Sequence, residues 1–305
     1  MKDLPLNDIS NCQLCPRQCA IPEGSFGYCG ARKNVGGTII LPHYAKLAAL
    51  HLDPIEKKPL ARFYSGKMVL SAGFPGCNLD CDFCQNDSLS ALRGPLAEKE
   101  LARDAITMSP EELCRKAASI PNNIGIAFTY NEPLIYYEYI LDTARLIKKD
   151  YPQMKTVLVS NACINAEPLR DLLPFIDAIN FDYKGNAQFY RDVCHAEMVP
   201  GTNAADAANA EEVVRRSIGM AVKAGVHVEV TWLAIDGLNT DEAFAKSIIG
   251  FLADLGNQNK TDIPLHISRY FPRRRMSIPA TKKETLLRLK AIAETRLKYV
   301  YLGNV

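Results

Sequence analysis

The sequence predicts an α/β protein: a partial (β/α)6 TIM-like barrel over residues 68–305, preceded by a small cysteine-rich lobe over residues 1–67. Three observations lead there. From Met68 onward, short β-rich apolar runs alternate with longer amphipathic stretches, the pattern of βα units feeding a parallel sheet. Residues of unusual chemistry recur where the apolar runs end. Residues 1–67 lack this rhythm and carry closely spaced cysteines instead.

The strands are expected at Met68–Gly73, Ile124–Tyr130, Lys155–Ser160, Ala178–Tyr183, Val226–Leu233 and Pro264–Tyr270. Helices are expected at Pro110–Ser119, Leu134–Lys149, Ala210–Ala224, Asp241–Leu255 and Thr281–Thr295, the first opened by a capping box of Ser109 and Glu112. Right-handed crossovers curl such units into a partial barrel or an open sheet, and either places the reactive site at the carboxyl ends of the strands. That rule gathers Cys77–Cys84, Asn131-Glu132-Pro133, Ser160-Asn161, Asp182-Tyr183-Lys184, Asp236-Gly237 and Arg269–Pro272 on one face. The small polar stretch Gly201–Ala210 reads as an exposed loop.

With 305 residues, 48% of them hydrophobic, the chain can bury one sizeable core and a small satellite module. Lys plus Arg total 36 against 34 Asp plus Glu, so no strong positive field favours nucleic acid as a partner. The start, Met1–Ser10, has no apolar export segment, and no uncharged run approaches the ~18 residues that cross a bilayer. A soluble cytoplasmic protein is expected. In such a chain 10 cysteines point to metal or redox chemistry rather than disulfides.

Cys77, Cys81 and Cys84 stand on one loop. Three thiolates at that spacing can each hold one corner of a cubane and leave the fourth iron without a protein ligand. A structural zinc site normally takes four protein ligands, and no His lies near this loop; a zinc knuckle completed by a distant cysteine, in a non-catalytic interaction protein, is the alternative. Cys12, Cys15, Cys19 and Cys29 supply four thiols among turn-forming Pro16, Pro22, Gly24, Gly27 and Gly30, a complete set for zinc or an auxiliary iron–sulfur cluster, with unligated reduced cysteines as the alternative.

Cys77, Cys81, Phe83 and Cys84 match C-x3-C-x-aromatic-C, and in this the chain resembles the radical S-adenosylmethionine (SAM) superfamily. Within it the sequence is similar to the branch of the pyruvate formate-lyase-activating enzyme, and more narrowly to the radical SAM enzymes of the AmmeMemoRadiSam system. The narrower similarity rests on Cys12–Arg17, Asp53–Leu60, Cys84-Gln85-Asn86, Tyr130–Pro133 and Tyr299–Asn304. The resemblance implies a [4Fe-4S] cluster whose open iron chelates SAM, reductive cleavage to a 5′-deoxyadenosyl radical, and hydrogen abstraction from a substrate. It implies a low-potential electron donor such as flavodoxin or ferredoxin, and a glycyl-radical enzyme or another protein, peptide or small molecule as the substrate.

Residue by residue, Phe83 belongs to the cluster motif, and Asn131 and Glu132 occupy the place that contacts the amino group of methionine. A carboxylate beside an ammonium suits that role, although Glu132-Pro133 also fits a plain helix start. Ser160 and Asn161 match a segment with polar contacts to SAM, an ordinary polar strand exit being the alternative; Val159 and Ala162 replace its Asp and Gly, removing a ligand of any monovalent-cation site there. Asp182 and Lys184 match an Asp-x-Lys motif near SAM or the reacting centre, and strand alternation puts both on one face. A plain ion pair at the barrel mouth is the alternative. Outside these motifs, Arg273–Arg275 reads as a solvated loop, with the docking of an acidic partner surface as the alternative; His266 reads as a packed interior side chain, and Cys194 as a core residue or one near the mouth of the site.

Overall fold

The structure, a computed structural model, describes residues 9–196 and 209–305. Its centre is an eight-stranded sheet. In chain order the strands are β1 (Ala49–Pro54), β2 (Met68–Gly73), β3 (Asn123–Phe128), β4 (Lys155–Ser160), β5 (Ala178–Asp182), β6 (His227–Ala234), β7 (Leu265–Arg269) and β8 (Val300–Gly303). Spatial order follows chain order, with β1 antiparallel to β2 and every later pair parallel. The strands expected from Met68 to Tyr270 all form, with ends shifted by at most two residues.

Two edge strands were not expected. Ala49–Pro54 carries His51, Asp53 and Pro54, which break the apolar signature, yet it pairs with β2 along its whole length. Val300–Gly303 is only four residues long. The chain before Met68 therefore contributes one strand to the main sheet, while residues 9–40 form the small ladders Ile9–Asn11 with Ala20–Pro22 and Lys33–Val35 with Thr38–Ile40. The expected loop at 201–210 lies outside the described residues up to Ala208; Asn209 caps the following helix by accepting from the Glu212 amide.

Strands covered on both faces need apolar residues on both, and β2 to β5 are buried almost throughout. The outer face packs under helices Pro110–Ser119, Tyr137–Asp150, Ala210–Lys223, Glu242–Asn259 and Lys283–Glu294. The first of these has the expected capping box, with Ser109 and Glu112 each accepting from the other's amide. The expected helix from Leu134 opens instead as a 3-10 turn, Pro133–Tyr136, because Glu132 caps Leu134 and Tyr136 leaves helical geometry before Tyr137. No helix among the described residues is long and apolar enough to cross a membrane.

The inner face of the barrel is layered. At the amino ends of the strands, Ile55 and Leu60 pack on Val69, Ala127, Val157 and Ala178 and form an apolar floor. Each buried Ile, Leu or Val among them contributes about 1.5–3 kcal/mol. Above it the lumen turns polar. Fully buried Glu229 accepts from the amides of Ala61 (3.0 Å) and Arg62 (2.7 Å), while Asn180 donates to Pro59 O (2.8 Å). The segment after β1 is thereby pinned across the barrel.

Candidate active site

The turn after β2 places Cys77, Cys81 and Cys84 at the carboxyl ends of the strands, where they open into one cavity of about 640 Å³. Phe83, Asn131, Asn161, Asp182 and Lys184 line the same cavity, which continues along Thr231, His266, Ser268 and Tyr301. Glu132 and Ser160 stand behind this wall. The Glu132 carboxylate accepts from Ser160 Oγ (2.9 Å), the Asn161 amide (2.7 Å) and the Leu134 amide (3.0 Å). Burial outweighs these bonds and pushes its carboxyl up to about 7.

Asn161 has its amide held by Glu132, and its side chain donates to Asn78 Oδ1 (2.8 Å) and lies 3.9 Å from Cys77 Sγ. The Leu79 amide donates to Cys77 Sγ (3.4 Å), and Ser90 Oγ lies 3.3 Å from Cys84 Sγ. Burial, reinforced by Glu132, pushes the Cys77 thiol well up, whereas a hydrogen bond from the Cys194 thiol holds Cys81 below its ordinary value. Cys194, read as a core residue or one near the mouth of the site, is buried and lies against a site thiol.

Strand alternation acts as expected on Asp182 and Lys184. Both face the cavity with Lys184 Nζ donating to Asp182 Oδ2 at 2.8 Å, while Tyr183 turns outward and donates to Glu211 at 2.6 Å. Burial works against the Lys184 ammonium, but Asp182 and the nearby thiols outweigh it and hold its pKa above the usual range. The ammonium lies 5.9 Å from the Phe83 ring centroid. Tyr130 donates to Asp53 Oδ2 (2.8 Å), which also accepts from Lys58 (2.8 Å), tying the strand end to the segment that floors the lumen.

The arginine run after β7 is not a solvated loop. Arg274 donates to Asp80 Oδ1 (2.7 Å) and Cys81 O (2.9 Å); Arg275 donates to Asp80 Oδ2 (2.9 Å) and Asp82 Oδ1 (2.7 Å). Arg93 adds a bond to Leu79 O (2.6 Å), and His195 Nε2 meets Asp82 Oδ1 at 2.9 Å. The amides of Asp80 and Asp82 donate to Cys194 O (3.1 Å) and Val193 O (3.0 Å). Although burial favours their neutral forms, the arginines and His195 hold both aspartates below the usual carboxylate range. Opposite charge on the thiol loop and on Arg273–Arg275 was the available signal, but nothing in one sequence pairs segments so far apart.

Backbone strain collects here as well. Tyr130 (φ 78°), Ala162 (64°), His195 (51°) and Arg274 (54°) are left-handed non-glycine residues flanking the site. Cys12, Cys15, Cys19 and Cys29 come together separately, around a second, much smaller cavity that Asn78 of the thiol loop also lines. Burial raises Cys12 and Cys29 and pushes Cys15 up to about 12. Among the described residues no three His, Cys, Asp or Glu side chains converge on a single ion position.

A mostly parallel barrel with a three-thiol loop at its mouth defines a cofactor-dependent barrel enzyme. The sequence matches the Radical SAM superfamily over residues 72–248, and the chain belongs to that superfamily. It is 38% identical over 300 residues to an uncharacterized protein of Methanocaldococcus jannaschii, covering 96% of this chain and 81% of that one. Its fold resembles a radical SAM methyltransferase from Sphaerobacter thermophilus (TM-score 0.54, 15% identity, 79% of this chain and 67% of that one). It also resembles Streptococcus suis SuiB bound to precursor peptide SuiA (TM-score 0.51, 13% identity, 76% and 48%).

Membership implies a [4Fe-4S] cluster and SAM, and the residues fit both. The three thiols share one roomy cavity without closing on a single ion, and each cubane corner needs only one thiolate. Asn131 lines that cavity, and its Oδ1 is buried without a partner, an acceptor suited to an ammonium.

Proposed function

We propose that this chain is a SAM-cleaving radical enzyme that removes a hydrogen atom from a carbon of a second substrate. The observation that carries it is the opening of Cys77, Cys81 and Cys84 into the cavity that also holds Asn131, Asn161, Asp182 and Lys184. The cluster and SAM, when bound, supply the reductive bond cleavage and the radical. The protein supplies the rest. Cys77, Cys81 and Cys84 would each hold one iron, and of Asn131 and Glu132, the pair the resemblance places at the amino contact, Asn131 would make it through its unpartnered Oδ1. Glu132 positions Ser160 and Asn161, Phe83 packs beneath the Lys184 ammonium, and Asp182 with Lys184 fixes charge beside the reacting centre.

The similarity to activating enzymes, with its Asp182-x-Lys184 motif, supports activation of a glycyl-radical enzyme, and the motifs shared with AmmeMemoRadiSam enzymes support that branch. A second reading, radical modification of another protein, peptide or small molecule, is supported by the reach of the cavity to His266 and Tyr301. In either case a flavodoxin or ferredoxin in the cytoplasm would supply the electron, and the cysteine-bearing part of residues 1–67, ahead of the edge strand Ala49–Pro54, would serve as a lobe beside the barrel. The test is anaerobic: with dithionite and SAM the purified protein should release 5′-deoxyadenosine, and Cys→Ser at position 77, 81 or 84 should abolish release. Zinc without iron or sulfide on these thiols, as in a non-catalytic binding protein, would end the proposal.

A further inference from the structure

The small cavity in the first lobe has no place in the reading above. It measures about 10 Å³, about the room a single water-sized group occupies and far below the ~300 Å³ of an organic ligand pocket. Its walls include all four thiols of Cys12, Cys15, Cys19 and Cys29. Local structure turns them inward. The Gln18 amide donates to Cys15 O (3.0 Å) with Gln18 left-handed (φ 42°), and the Cys12 amide donates to Cys19 O (3.0 Å), so the first three cysteines sit on one tight knuckle. Cys29 approaches on a second turn, in which the Gly30 amide donates to Gly27 O (2.9 Å).

A second observation shows that something charged belongs there. Arg32 lines the same cavity and is only 3% exposed, yet its Nε and one terminal nitrogen, Nη2, have no hydrogen-bond partner; only Nη1 is bound, to Glu138 at 2.6 Å. The Tyr136 hydroxyl, beside Cys29 and Arg32, is likewise buried without a partner. Buried donors are rarely left unmatched, and the cavity that Arg32 lines presents four thiols whose ionised sulfurs would accept from it. Four thiolates around a soft cation leave net negative charge in a buried lobe, which needs such donors.

We propose that Cys12, Cys15, Cys19 and Cys29 bind a second metal centre, a single zinc-type ion of the size this cavity admits, and that Arg32 donates to its sulfurs. The thiols do not stand on a single ion position beforehand, so the centre gathers them by side-chain rotation. The centre would also brace the barrel site. Cys29 O packs against Gly76, the residue before Cys77, so closely that a Cβ there would lie 2.2 Å away, and Asn78 lines both cavities. Tyr28 is held between Arg17 (3.5 Å from the ring centroid) and Arg93 (4.5 Å), joining the lobe to the thiol loop.

This does not depend on the SAM reading, and the experiment keeps the two apart. A full-length variant with Cys77, Cys81 and Cys84 all changed to Ala removes the first site. After anaerobic purification it should retain about one zinc per chain, and about four irons with sulfide instead would overturn the single-ion centre. Adding Cys15→Ser should remove that metal. Should Cys15→Ser fail to fold, mercurial titration of the triple variant serves instead, with metal released in step with lobe thiols. Arg32→Gln should lose metal to a chelator about 10- to 100-fold faster, with Arg32→Lys in between. A folded triple variant without stoichiometric metal, or release unlinked to thiol modification, would overturn the centre; an unchanged rate in Arg32→Gln would remove Arg32 from it.

Discussion

Arg274→Met should loosen the loop bearing Cys77, Cys81 and Cys84 by about 3 kcal/mol. The Arg274 side chain is 14% exposed and makes two charge-assisted bonds, to Asp80 Oδ1 and Cys81 O. Such bonds contribute about 1.5–3 kcal/mol each, and partial screening argues for the lower end, giving about 3 kcal/mol for the pair. At about 1.4 kcal/mol per tenfold, local opening becomes roughly 100-fold more frequent. The amides of Asp80 and Asp82, bonded to Cys194 O and Val193 O, report that opening directly. Native-state hydrogen exchange should show their protection falling by roughly two orders of magnitude in the variant. Arg275 provides the control: at 47% exposure its bonds to the same aspartates are largely screened, and Arg275→Met should lower protection by less than about fivefold. Protection unchanged in Arg274→Met, or a larger loss in Arg275→Met, would refute the assignment of the clamp to Arg274.

Two further outcomes follow from the geometry. Gly76→Ala forces a side chain into a left-handed residue (φ 85°) with its Cβ 2.2 Å from Cys29 O, and should cost at least about 3 kcal/mol; a thermal midpoint equal to wild type would contradict that packing. Burial acts against the charge on Glu229, but hydrogen bonds from His227 and His266 outweigh it and hold its carboxyl at about 2 against an ordinary 4.5. A depressed carboxyl contributes stability that is present above pH ~4.5 and lost as pH falls toward ~2, here about 3 kcal/mol. Glu229→Gln should lack this contribution at neutral pH and lose less on acidification; urea midpoints that shift in parallel between pH 6 and 3 would exclude it.

The barrel was legible because its strands are buried on both faces and its helices on one, so composition and period record them directly. The edge strands were not, since Ala49–Pro54 meets a neighbour on only one side and tolerates His51, Asp53 and Pro54. At the site, Cys77–Cys84 and Asp182-Tyr183-Lys184 could be placed because strand ends and alternation are local properties. The roles of Arg274, Arg275, His195 and Asn78 could not, because each depends on a partner brought close only by the fold. Glu132 falls between: its chemistry is visible in the sequence, but the direction it faces follows from the parallel pairing of β3 with β4, which brings Ser160 and Asn161 against it.

The floor of the lumen bears on how the chain reaches its native state. Ala61 and Arg62 bind Glu229, 168 and 167 residues further along, and the Arg62 guanidinium reaches the Tyr299 hydroxyl, 237 residues on. On a ribosome the early half of the polypeptide would wait for the late half before its polar backbone was satisfied. Contacts of such separation slow folding, so the nascent chain is exposed to aggregation until synthesis is nearly finished.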